Sequence, residues 1–445
     1  MKLIKGILAI AAIIVAFHAC APKKNTSTAY FNNSLLYCKA VKNLNDVVLE
    51  NNFPPMIAAR NYAYANIAAY ECMAAGNKNY QTLSKQIKHL PTMPTAPAGV
   101  TINYNLAALL SLIKVGNAVT FPEGSLMATY EQLKKDADSV GMPADELQHT
   151  IAFSDSVVST ILKWSKGDHY AQTRSAEKYT VENKDGRWIP TPPMYASAVE
   201  PHWMEIRPLV LDSASQFMPV RPPVFDVTNK NSSYYKALLE VKNIGDSLTE
   251  EQRFIADFWD DNPFKMNVSG HAMFASKKFS PAGHWMNIVG IAAQKSKADV
   301  GATIAAYTQT AIALFDAFIS CWDEKYRSNF IRPETAIAQY INDAWRPYIQ
   351  TPPFPSYTSG HATISAAAAE VMANCFGDTI NISDTSLLAF GIKSRNIVTF
   401  RNAAKEAAMS RLYGGIHYRF DNEAGNQSGT KLGIYIVEKL RLKNK

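Results

Sequence analysis

Two cationic residues in the last third of the chain have a spacing that could serve an anion. Lys325 and Arg332 are seven residues apart in "WDEKYRSNFIRPETA", so on a helix they would share one face within about twenty degrees. Such a pair is ordinarily part of a solvated surface. Trp322 and Phe330 make a poor exposed neighbourhood, however, and Pro333 prevents a helix from continuing unchanged. The surroundings therefore favour a functional role for the two cations.

The stretch "PSYTSGH" places Ser359, Gly360 and His361 at the start of an apolar run with helical spacing. The first turn of a helix has unpaired backbone N–H groups and the positive end of the helix dipole, and both attract an anion. In the alternative interpretation Ser359 caps the helix, Gly360 gives flexibility and His361 is a helix-start residue. Taken alone, the stretch leaves both interpretations open.

A third stretch, "SRLYGGIHYRFDNEAG", combines an arginine, a histidine and an aspartate. Arg411 and His417 flank two glycines, and Asp421 follows His417 by four residues. The carboxylate could accept one ring N–H of the histidine, fix its tautomer and leave the other nitrogen facing a ligand. Such a pair is also common as a purely structural contact.

The three stretches together predict more than each one does. They supply three permanent or near-permanent positive charges, the N–H donors of a helix start and two imidazoles that titrate near neutrality. Guanidinium and ammonium groups are the usual partners of multiply charged oxygen anions. We therefore predict a cage for a tetrahedral oxyanion, assembled as helices pack and bring the stretches together.

The motifs K-x6-RP, P-S-x-x-S-G-H and S-R-x5-H-x3-D resemble those shared by type 2 phosphatidic acid phosphatases and vanadium-dependent haloperoxidases. All three match without a gap between residues 325 and 421. The segment 258–288 and the "PTPP" region upstream are similar to those of soluble bacterial haloperoxidases. The resemblance covers the whole predicted oxyanion cage.

In the haloperoxidase branch, the resemblance implies that the cage holds vanadate, with His417 as the axial ligand of vanadium. Its equatorial oxygens would be held by Lys325, Arg332, Ser359, Gly360 and Arg411. His361 would move protons as hydrogen peroxide reacts, and Lys325 would polarise the peroxide so that a halide can attack it. Asp421 would orient His417. In the phosphatase branch, the residue matching His417 would instead attack phosphorus, and the one matching His361 would protonate the leaving group.

The aromatic residues Trp322 and Phe354 stand where haloperoxidases keep aromatics beside the halide path, although both could also be core residues. The large helical N-terminal half is unlike the small soluble acid phosphatases. We therefore expect a vanadate-dependent haloperoxidase that uses hydrogen peroxide and iodide or bromide, with an organic acceptor as a further candidate partner. The alternatives are an exported acid phosphatase with a phosphohistidine intermediate and a non-catalytic, phosphate-binding envelope lipoprotein.

Composition and charge exclude several other classes of protein. The 445 residues are 47% hydrophobic and 19% charged, which is typical of a globular protein. The formal net charge of +7 is spread along the chain without blocks of like charge, which is a weak hint of anionic ligands. Because no run interleaves basic residues with exposed aromatics, we expect no nucleic-acid partner.

The N-terminus, "MKLIKGILAIAAIIVAFHAC", has a basic start, a short apolar stretch and a small residue before Cys20. These features predict a signal peptide over residues 1–20. The cysteine resembles that of a bacterial lipobox, which implies a lipidated Cys20 and a membrane anchor. The predicted location is therefore the periplasm or the outer membrane of a Gram-negative bacterium. The alternative is ordinary cleavage nearby, with Cys20 unmodified.

Apolar residues at three- and four-residue intervals predict helices along most of the chain. A Pro- and Tyr-rich stretch, 166–235, predicts a long ordered connection on the surface. Thr249 and Gln252 match a capping box at a helix start. The fold class is predicted as all-α, a large helical bundle with the oxyanion site in its C-terminal half, divided into residues 21–235 and 236–445. The predicted helices lie near 38–75, 104–115, 124–137, 144–165, 301–324, 334–344, 361–375, 400–413 and 424–441.

Two further features bear on the fold. The stretch 302–322 has almost the length and hydropathy of a membrane span, but Gln309 and Asp316 lie within it, so we predict a central buried helix.

Cys38, Cys72, Cys321 and Cys375 lack the spacing of a zinc site. For the last two, which lie in apolar helical patterns, we predict buried free thiols.

Overall fold

The computed structural model describes residues 24–120, 124–263, 266–269, 272–275 and 278–444. Helices form most of this described part, together with two small β-hairpins. The predicted all-α class is thus confirmed. The predicted signal peptide and Cys20 lie outside the described residues, and the division at residue 235 stays a prediction.

In the described part, six helices precede the Pro- and Tyr-rich connection, and a seventh, Tyr170–Ser175, lies within it. The predicted helix over 38–75 is in fact two helices, because Pro54 and Pro55 interrupt it, and Pro55 then occupies the first turn of the second helix. The helices are α1 (Ser27–Phe31), α2 (Ser34–Glu50), α3 (Pro55–Gly76), α4 (Tyr104–Val119), α5 (Met127–Ser139), α6 (Ala144–Ser165) and α7 (Tyr170–Ser175).

The described C-terminal half contains eight longer helices. The capping box predicted at Thr249 and Gln252 is present and begins the second of them. The helices are α8 (Ser233–Asp246), α9 (Glu250–Phe258), α10 (Pro281–Lys295), α11 (Val300–Ser328), α12 (Pro333–Tyr340), α13 (Gly360–Phe376), α14 (Phe400–Tyr413) and α15 (Arg419–Lys439).

Two antiparallel hairpins were not predicted. Strands β1 (Met266–Ser269) and β2 (Ala272–Ala275) form one, and β3 (Thr379–Asp384) and β4 (Arg395–Thr399) form the other. In β3 the residues alternate between exposed and buried. This alternation extends over only six residues, too few to stand out from the helical patterns on either side.

Helix α11 lies at the centre of the protein. By length and composition it could cross a membrane, but its apolar window is completely buried within the structure, as predicted. The Asp316 carboxylate, in the middle of α11, accepts hydrogen bonds from the backbone N–H groups of Leu209, Val210 and Leu211 at 2.7 to 3.0 Å. This contact attaches the connection to the central helix.

The connection itself is ordered but does not lie only on the surface. Trp188 and Trp203 are fully buried, and the Trp203 ring packs edge-on against Phe315 of α11. Some aromatic residues of this connection therefore belong to the core and not to the surface. Burial of two such large side chains supplies several kcal/mol, about 1.5 to 3 kcal/mol for each large apolar side chain.

Helices α13 and α15 pack unusually closely. Gly425, Gly429 and Gly433 lie one turn apart on α15 and face the backbone of α13. A Cβ atom added at Gly429 would lie 2.1 Å from the Thr363 carbonyl oxygen, far inside van der Waals contact. Only glycine permits this distance, so the stripe fixes the separation of two helices whose N-terminal ends approach each other.

All four cysteines in the described part are free thiols. Cys38, Cys72 and Cys321 are buried, and Cys375 is half-buried. The prediction of free thiols for Cys321 and Cys375 is confirmed, although Cys375 retains some exposure.

Candidate functional site

The two cations of the first motif do not share a helix. Helix α11 ends at Ser328, and Asn329 takes a left-handed conformation with φ of 47°. Arg332 is instead the N-cap residue of α12, so the predicted common helix face is wrong. The turn after α11 nevertheless brings its guanidinium back into the interior, where Lys325 and Arg332 are both fully buried.

The Lys325 side chain holds the "PSYT" loop. Its Nζ donates hydrogen bonds to the carbonyl oxygens of Pro355, Ser356 and Thr358 at 2.8, 2.9 and 2.6 Å. Burial lowers the pKa of this amine, and Arg332 lowers it further. Three acceptors need three N–H donors, which only the ammonium form has. The carbonyl oxygens therefore favour a charged Lys325 in this arrangement.

Arg332 and His417 meet at the centre of the site. Arg332 donates through Nε to the Phe354 carbonyl oxygen and through Nη1 to the Ile416 carbonyl oxygen, both at 2.8 Å. The same Nη1 lies 3.1 Å from Nε2 of His417. Because a guanidinium can only donate, Nε2 must present its lone pair. His417 is thus the neutral Nδ1–H tautomer, a form that can act as a ligand.

Asp421 fixes this tautomer. Its Oδ2 lies 2.8 Å from Nδ1 of His417 and also accepts a 2.5 Å hydrogen bond from the Ser356 hydroxyl. The pair suggested by the four-residue spacing is therefore formed in the structure. Burial, followed by the cations Arg332 and Lys325, lowers the pKa of His417 well below its usual value. The imidazole is consequently held neutral and oriented.

Arg411 is positioned by backbone carbonyl groups of the segment after α9. Its Nη1 donates to the carbonyl oxygens of Trp259 and Asp260 at 2.6 and 3.2 Å. The guanidinium is buried, which lowers its pKa to about 10, while the nearby carboxylates of Asp260 and Asp261 raise it. At neutral pH Arg411 therefore remains charged inside the protein.

The "SGH" residues form the start of α13. Ser359 is the N-cap residue, and its hydroxyl accepts from the Ala362 N–H at 3.4 Å, while Gly360 is the first helical residue. His361 is half-buried, and its pKa is lowered well below the usual value by burial and then by Arg411. Both proposed uses of Ser359, as a cap and as an anion holder, are compatible with this geometry.

Several buried nitrogen atoms around this centre have no hydrogen-bond partner among the residues that the structure describes. They are Nη2 of Arg332, Nε of Arg411 and Nε2 of His361. Unpaired buried polar atoms are rare in folded proteins and call for a partner. Together with three buried cations and the Nε2 lone pair of His417, they fit a small, multiply charged oxyanion such as vanadate or phosphate.

A narrow cavity opens beside these groups. Its lining includes Gly360, His361, Arg411 and His417 as well as an apolar wall of aromatic and proline side chains. Trp322 and Phe354 form part of this apolar wall, with their ring centroids 5.0 Å apart. The Phe354 ring also lies 5.0 Å from Nζ of Lys325 and 5.1 Å from the guanidinium carbon of Arg332. Its π-face thus stabilises both cations.

Some cavity residues carried no recognisable sequence signal. Pro55 and Phe318 line the same cavity, and the carbonyl groups of Trp259 and Asp260 hold Arg411. A backbone carbonyl is the same for every residue type, so such contacts leave no trace in composition or spacing. For Asp261, the similarity of segment 258–288 to bacterial haloperoxidases was the available signal.

The comparisons with known proteins agree with this geometry. The family described as "VCPO second helical-bundle domain" matches residues 305–444. A bacterial vanadium-dependent iodoperoxidase of known crystal structure is 40% identical, with 93% of this chain and 98% of that chain covered and a TM-score of 0.88. No curated protein matches the chain.

More distant structures share the fold. The holo form of a bacterial vanadium-dependent chloroperoxidase is 16% identical over 87% of this chain and 92% of that chain, with a TM-score of 0.66. The apo form of a bacterial vanadium-dependent chloroperoxidase is 17% identical over 87% and 94%, also with a TM-score of 0.66. At this identity the likeness supports the helical architecture alone.

Proposed function

We infer the roles of the residues from one premise: the chain belongs to the vanadium-dependent haloperoxidases. It is accordingly a vanadate-dependent peroxidase that oxidises a halide with hydrogen peroxide. When bound, vanadate activates hydrogen peroxide for attack by the halide. The identity of the halide and the work of each side chain are our proposals.

We propose that His417 binds vanadium through Nε2. The support is the tautomer that Asp421 fixes, which leaves the Nε2 lone pair next to the buried cations. Arg332 and Arg411 would hold oxygens through the nitrogen atoms that have no partner in the structure. Ser359 and Gly360 would add donors from the start of α13, where the helix dipole also favours an anion.

His361 and Lys325 are proposed to handle protons and charge. His361 has an unpaired, buried Nε2 at the cavity, and its lowered pKa keeps the imidazole ready to accept a proton from hydrogen peroxide. The three N–H groups of Lys325 are directed at carbonyl oxygens. Lys325 would therefore have to release one carbonyl in order to donate a hydrogen bond to peroxide.

Iodide is the halide that we propose as the preferred substrate. The observation that carries this proposal is the apolar wall of Trp322 and Phe354 directly beside the cationic centre. Iodide is the largest and the least strongly hydrated of the common halides, so it loses the least hydration free energy against such a wall. The 40% identical bacterial iodoperoxidase supports the same choice. The product would be hypoiodous acid, which reacts with electron-rich organic acceptors.

The test is a steady-state assay of the purified protein with hydrogen peroxide and either iodide, bromide or chloride. We expect oxidation only after vanadate is added, with the highest kcat/KM for iodide. His417→Ala should lose the vanadate-dependent rate. A matched control is His149→Ala, since His149 lies on α6, away from the cavity, and should leave the rate unchanged. A higher kcat/KM for bromide or chloride would contradict the proposed preference.

The acid phosphatase and the phosphate-binding lipoprotein are outcomes of the same experiment. A phosphatase would hydrolyse a phosphomonoester without added metal and would be inhibited by vanadate. A non-catalytic protein would bind phosphate but show neither reaction. Either result, obtained without vanadate-dependent oxidation, would exclude the roles that we assign to His361 and His417.

We also propose that the chain is exported and carries a lipid on Cys20. The support is the sequence of residues 1–20, with its basic start, apolar stretch and terminal cysteine. The mature protein should then appear in the membrane fraction of a Gram-negative host, and Cys20→Ala should move it to the soluble fraction. An unmodified Cys20 in the mass spectrum of the mature protein would contradict the anchor.

A further inference from the structure

A buried histidine outside the oxyanion cage lies between two carboxylates. The Nδ1 of His284, on α10, lies 2.9 and 3.1 Å from the carboxylate oxygens of Asp261. Its Nε2 lies 2.8 Å from Oδ2 of Asp384, at the end of β3. His284 and Asp384 are completely buried, and Asp261 is 3% exposed. The three side chains form one bridge, called the Asp–His–Asp bridge below.

The bridge requires a charged histidine. Carboxylate oxygens only accept hydrogen bonds, so both ring nitrogens must carry a hydrogen, which is the imidazolium form. Burial alone would lower the pKa of His284, but the two aspartates outweigh it and raise the pKa to about 10. The pKa of Asp384 is correspondingly lowered, with the charge of His284 overcoming the effect of burial.

Asp261 belongs to the backbone segment that holds Arg411. The carbonyl groups of Trp259 and Asp260 receive Nη1 of Arg411, and His361 contacts the backbone of Trp259. Asp261 and Asn262 line the cavity. The segment 259–262 therefore touches both a cation and a histidine of the proposed vanadate site.

The conformation of this segment needs external support. Asp261 has a φ of 36°, which lies in the left-handed region that a residue with a Cβ atom rarely adopts. His284 opposes this strain in two ways, by binding the Asp261 carboxylate and by packing its ring 4.9 Å from the Trp259 ring. Asp384 holds His284 from the other side and is itself fixed by the Ser386 N–H and hydroxyl.

We propose that His284, clamped between Asp261 and Asp384, is a positioning residue of the vanadate site that acts through the 259–262 segment on Arg411. Partners behind the groups that contact a bound ion commonly change affinity or activity 10- to 100-fold when they are removed. The inference rests on the proposed roles of Arg411 and His417. It extends the site to α10 and β3, neither of which carries one of the predicted cage residues.

The experiment measures the dissociation constant of vanadate for the apoprotein by isothermal titration calorimetry, without a turnover assay. The variants are His284→Gln, which removes the cation, and Asp384→Asn, which keeps the size of the side chain but removes the outer charge. We expect vanadate to bind roughly 10- to 100-fold more weakly to His284→Gln. The effect of Asp384→Asn should have the same direction and be smaller.

The matched control is Glu71→Gln. Glu71 is also a buried carboxylate that accepts hydrogen bonds, from the Thr82 hydroxyl and the Leu83 N–H, but it lies near the end of α3 remote from Pro55, the α3 residue at the cavity. Glu71→Gln should lower the melting temperature and leave the vanadate dissociation constant unchanged. If Glu71→Gln weakened vanadate binding as much as His284→Gln does, the effect would come from a general loss of stability, and the proposal would be overturned.

A double-mutant cycle tests the path through Arg411. If His284 acts by way of Arg411, then Asp384→Asn added to Arg411→Lys should weaken vanadate binding much less than it does in the wild type. Additive effects would overturn this path. If His284→Gln fails to fold, the test rests on Asp384→Asn. A vanadate dissociation constant equal to that of the wild type in this variant would overturn the proposal. Failure of the wild type to bind vanadate would instead refute the proposed site roles, and this inference with them.

Discussion

At the scale of single residues, the site depends on where one proton sits. Asp421 keeps the proton of His417 on Nδ1, and Arg332 lies opposite the Nε2 lone pair. A neutral, correctly oriented imidazole is what a metal ligand requires, and the carboxylate behind such a ligand also raises its basicity. If His417 binds vanadium as proposed, the aspartate would contribute to vanadate affinity without contacting the ion itself.

Asp421→Asn should accordingly weaken vanadate binding by roughly 10- to 100-fold. The amide can still accept the Nδ1 hydrogen, but it is neutral and can also donate, so it no longer enforces one tautomer. The measurement is a vanadate titration of the apoprotein. Glu423→Gln provides the control, since it is the same chemical change at an exposed position of α15. An equal dissociation constant for Asp421→Asn and the wild type would contradict this role.

Sequence reasoning identified the charged and titratable side chains of the site because their types and spacing are distinctive. It placed His417 beside Asp421 correctly, but it wrongly put Arg332 on the same helix as Lys325. The turn at Asn329 was not predicted. The left-handed conformation that it requires is only somewhat more common for asparagine than for other residues, so the sequence gives little sign of it. Contacts made by backbone carbonyls, such as those of Trp259 to Arg411, could not be predicted from residue types.

At the scale of elements, the site lies where the N-terminal ends of α13 and α15 approach each other. Ser359 is the N-cap residue of α13, and its N–H donates to the Asp421 carbonyl oxygen of α15 at 3.1 Å. Gly425, Gly429 and Gly433 allow this approach over three successive turns. The distance between His361 and His417 is therefore partly set by glycines that never contact the anion.

Gly429→Ala should destabilise the protein by about 1 to 3 kcal/mol, as expected for overpacking. The added methyl group would collide with the Thr363 carbonyl oxygen, and this cost exceeds the gain of about 1 kcal/mol in helix propensity. Urea denaturation measures the change. Gly167→Ala is the control, because the nearest atom to its added Cβ is 3.5 Å away. A Gly429→Ala variant as stable as the wild type would refute the close-packing argument.

The helices themselves were largely predictable from apolar periodicity, and their ends much less so. Proline explains the break between α2 and α3, which was readable in "NNFPPM". The β3–β4 hairpin was missed because its strands are short and follow a long helix without a strong turn signal. Tertiary contacts, above all the burial of alternate β3 residues, stabilise it.

At the scale of the whole molecule, the oxyanion site joins segments that are far apart in sequence. Its charges come from α11, from the start of α12 and from the C-terminal end of α14. Three buried cations with few acidic partners repel one another and cost free energy. An anion that neutralises them should therefore stabilise the whole fold as well as complete the site.

Vanadate at 100 times its dissociation constant should stabilise the protein by about 2.7 kcal/mol. Phosphate should act in the same direction and compete with vanadate. Thermal unfolding in the presence and absence of each anion measures the effect, with sodium chloride at the same ionic strength as the control. Removal of vanadate by dialysis should reverse the shift. A melting temperature that does not depend on vanadate would contradict the proposed site.

The Asp–His–Asp bridge makes global stability depend on pH. The folded-state pKa of His284, about 10, lies above the unfolded value of roughly 6.5. Its contribution is therefore complete below pH 6.5 and is lost as the pH rises towards 10, by up to about 1.4 kcal/mol per pH unit. Denaturation curves between pH 7 and 9 should show this decline, and His284→Gln should show a shallower one. Parallel declines would exclude His284 as the source.

The burial of the thiols has a consequence for the working lifetime of the enzyme. A haloperoxidase releases a hypohalous acid, which attacks thiol groups readily, so each catalytic cycle exposes the protein to its own product. Cys38, Cys72 and Cys321 are buried, and Cys375 is only half-buried. Three of the four thiols in the described part, Cys38, Cys72 and Cys321, are therefore shielded from that product. Burial of these three thiols would thus slow the inactivation of the enzyme by its own product.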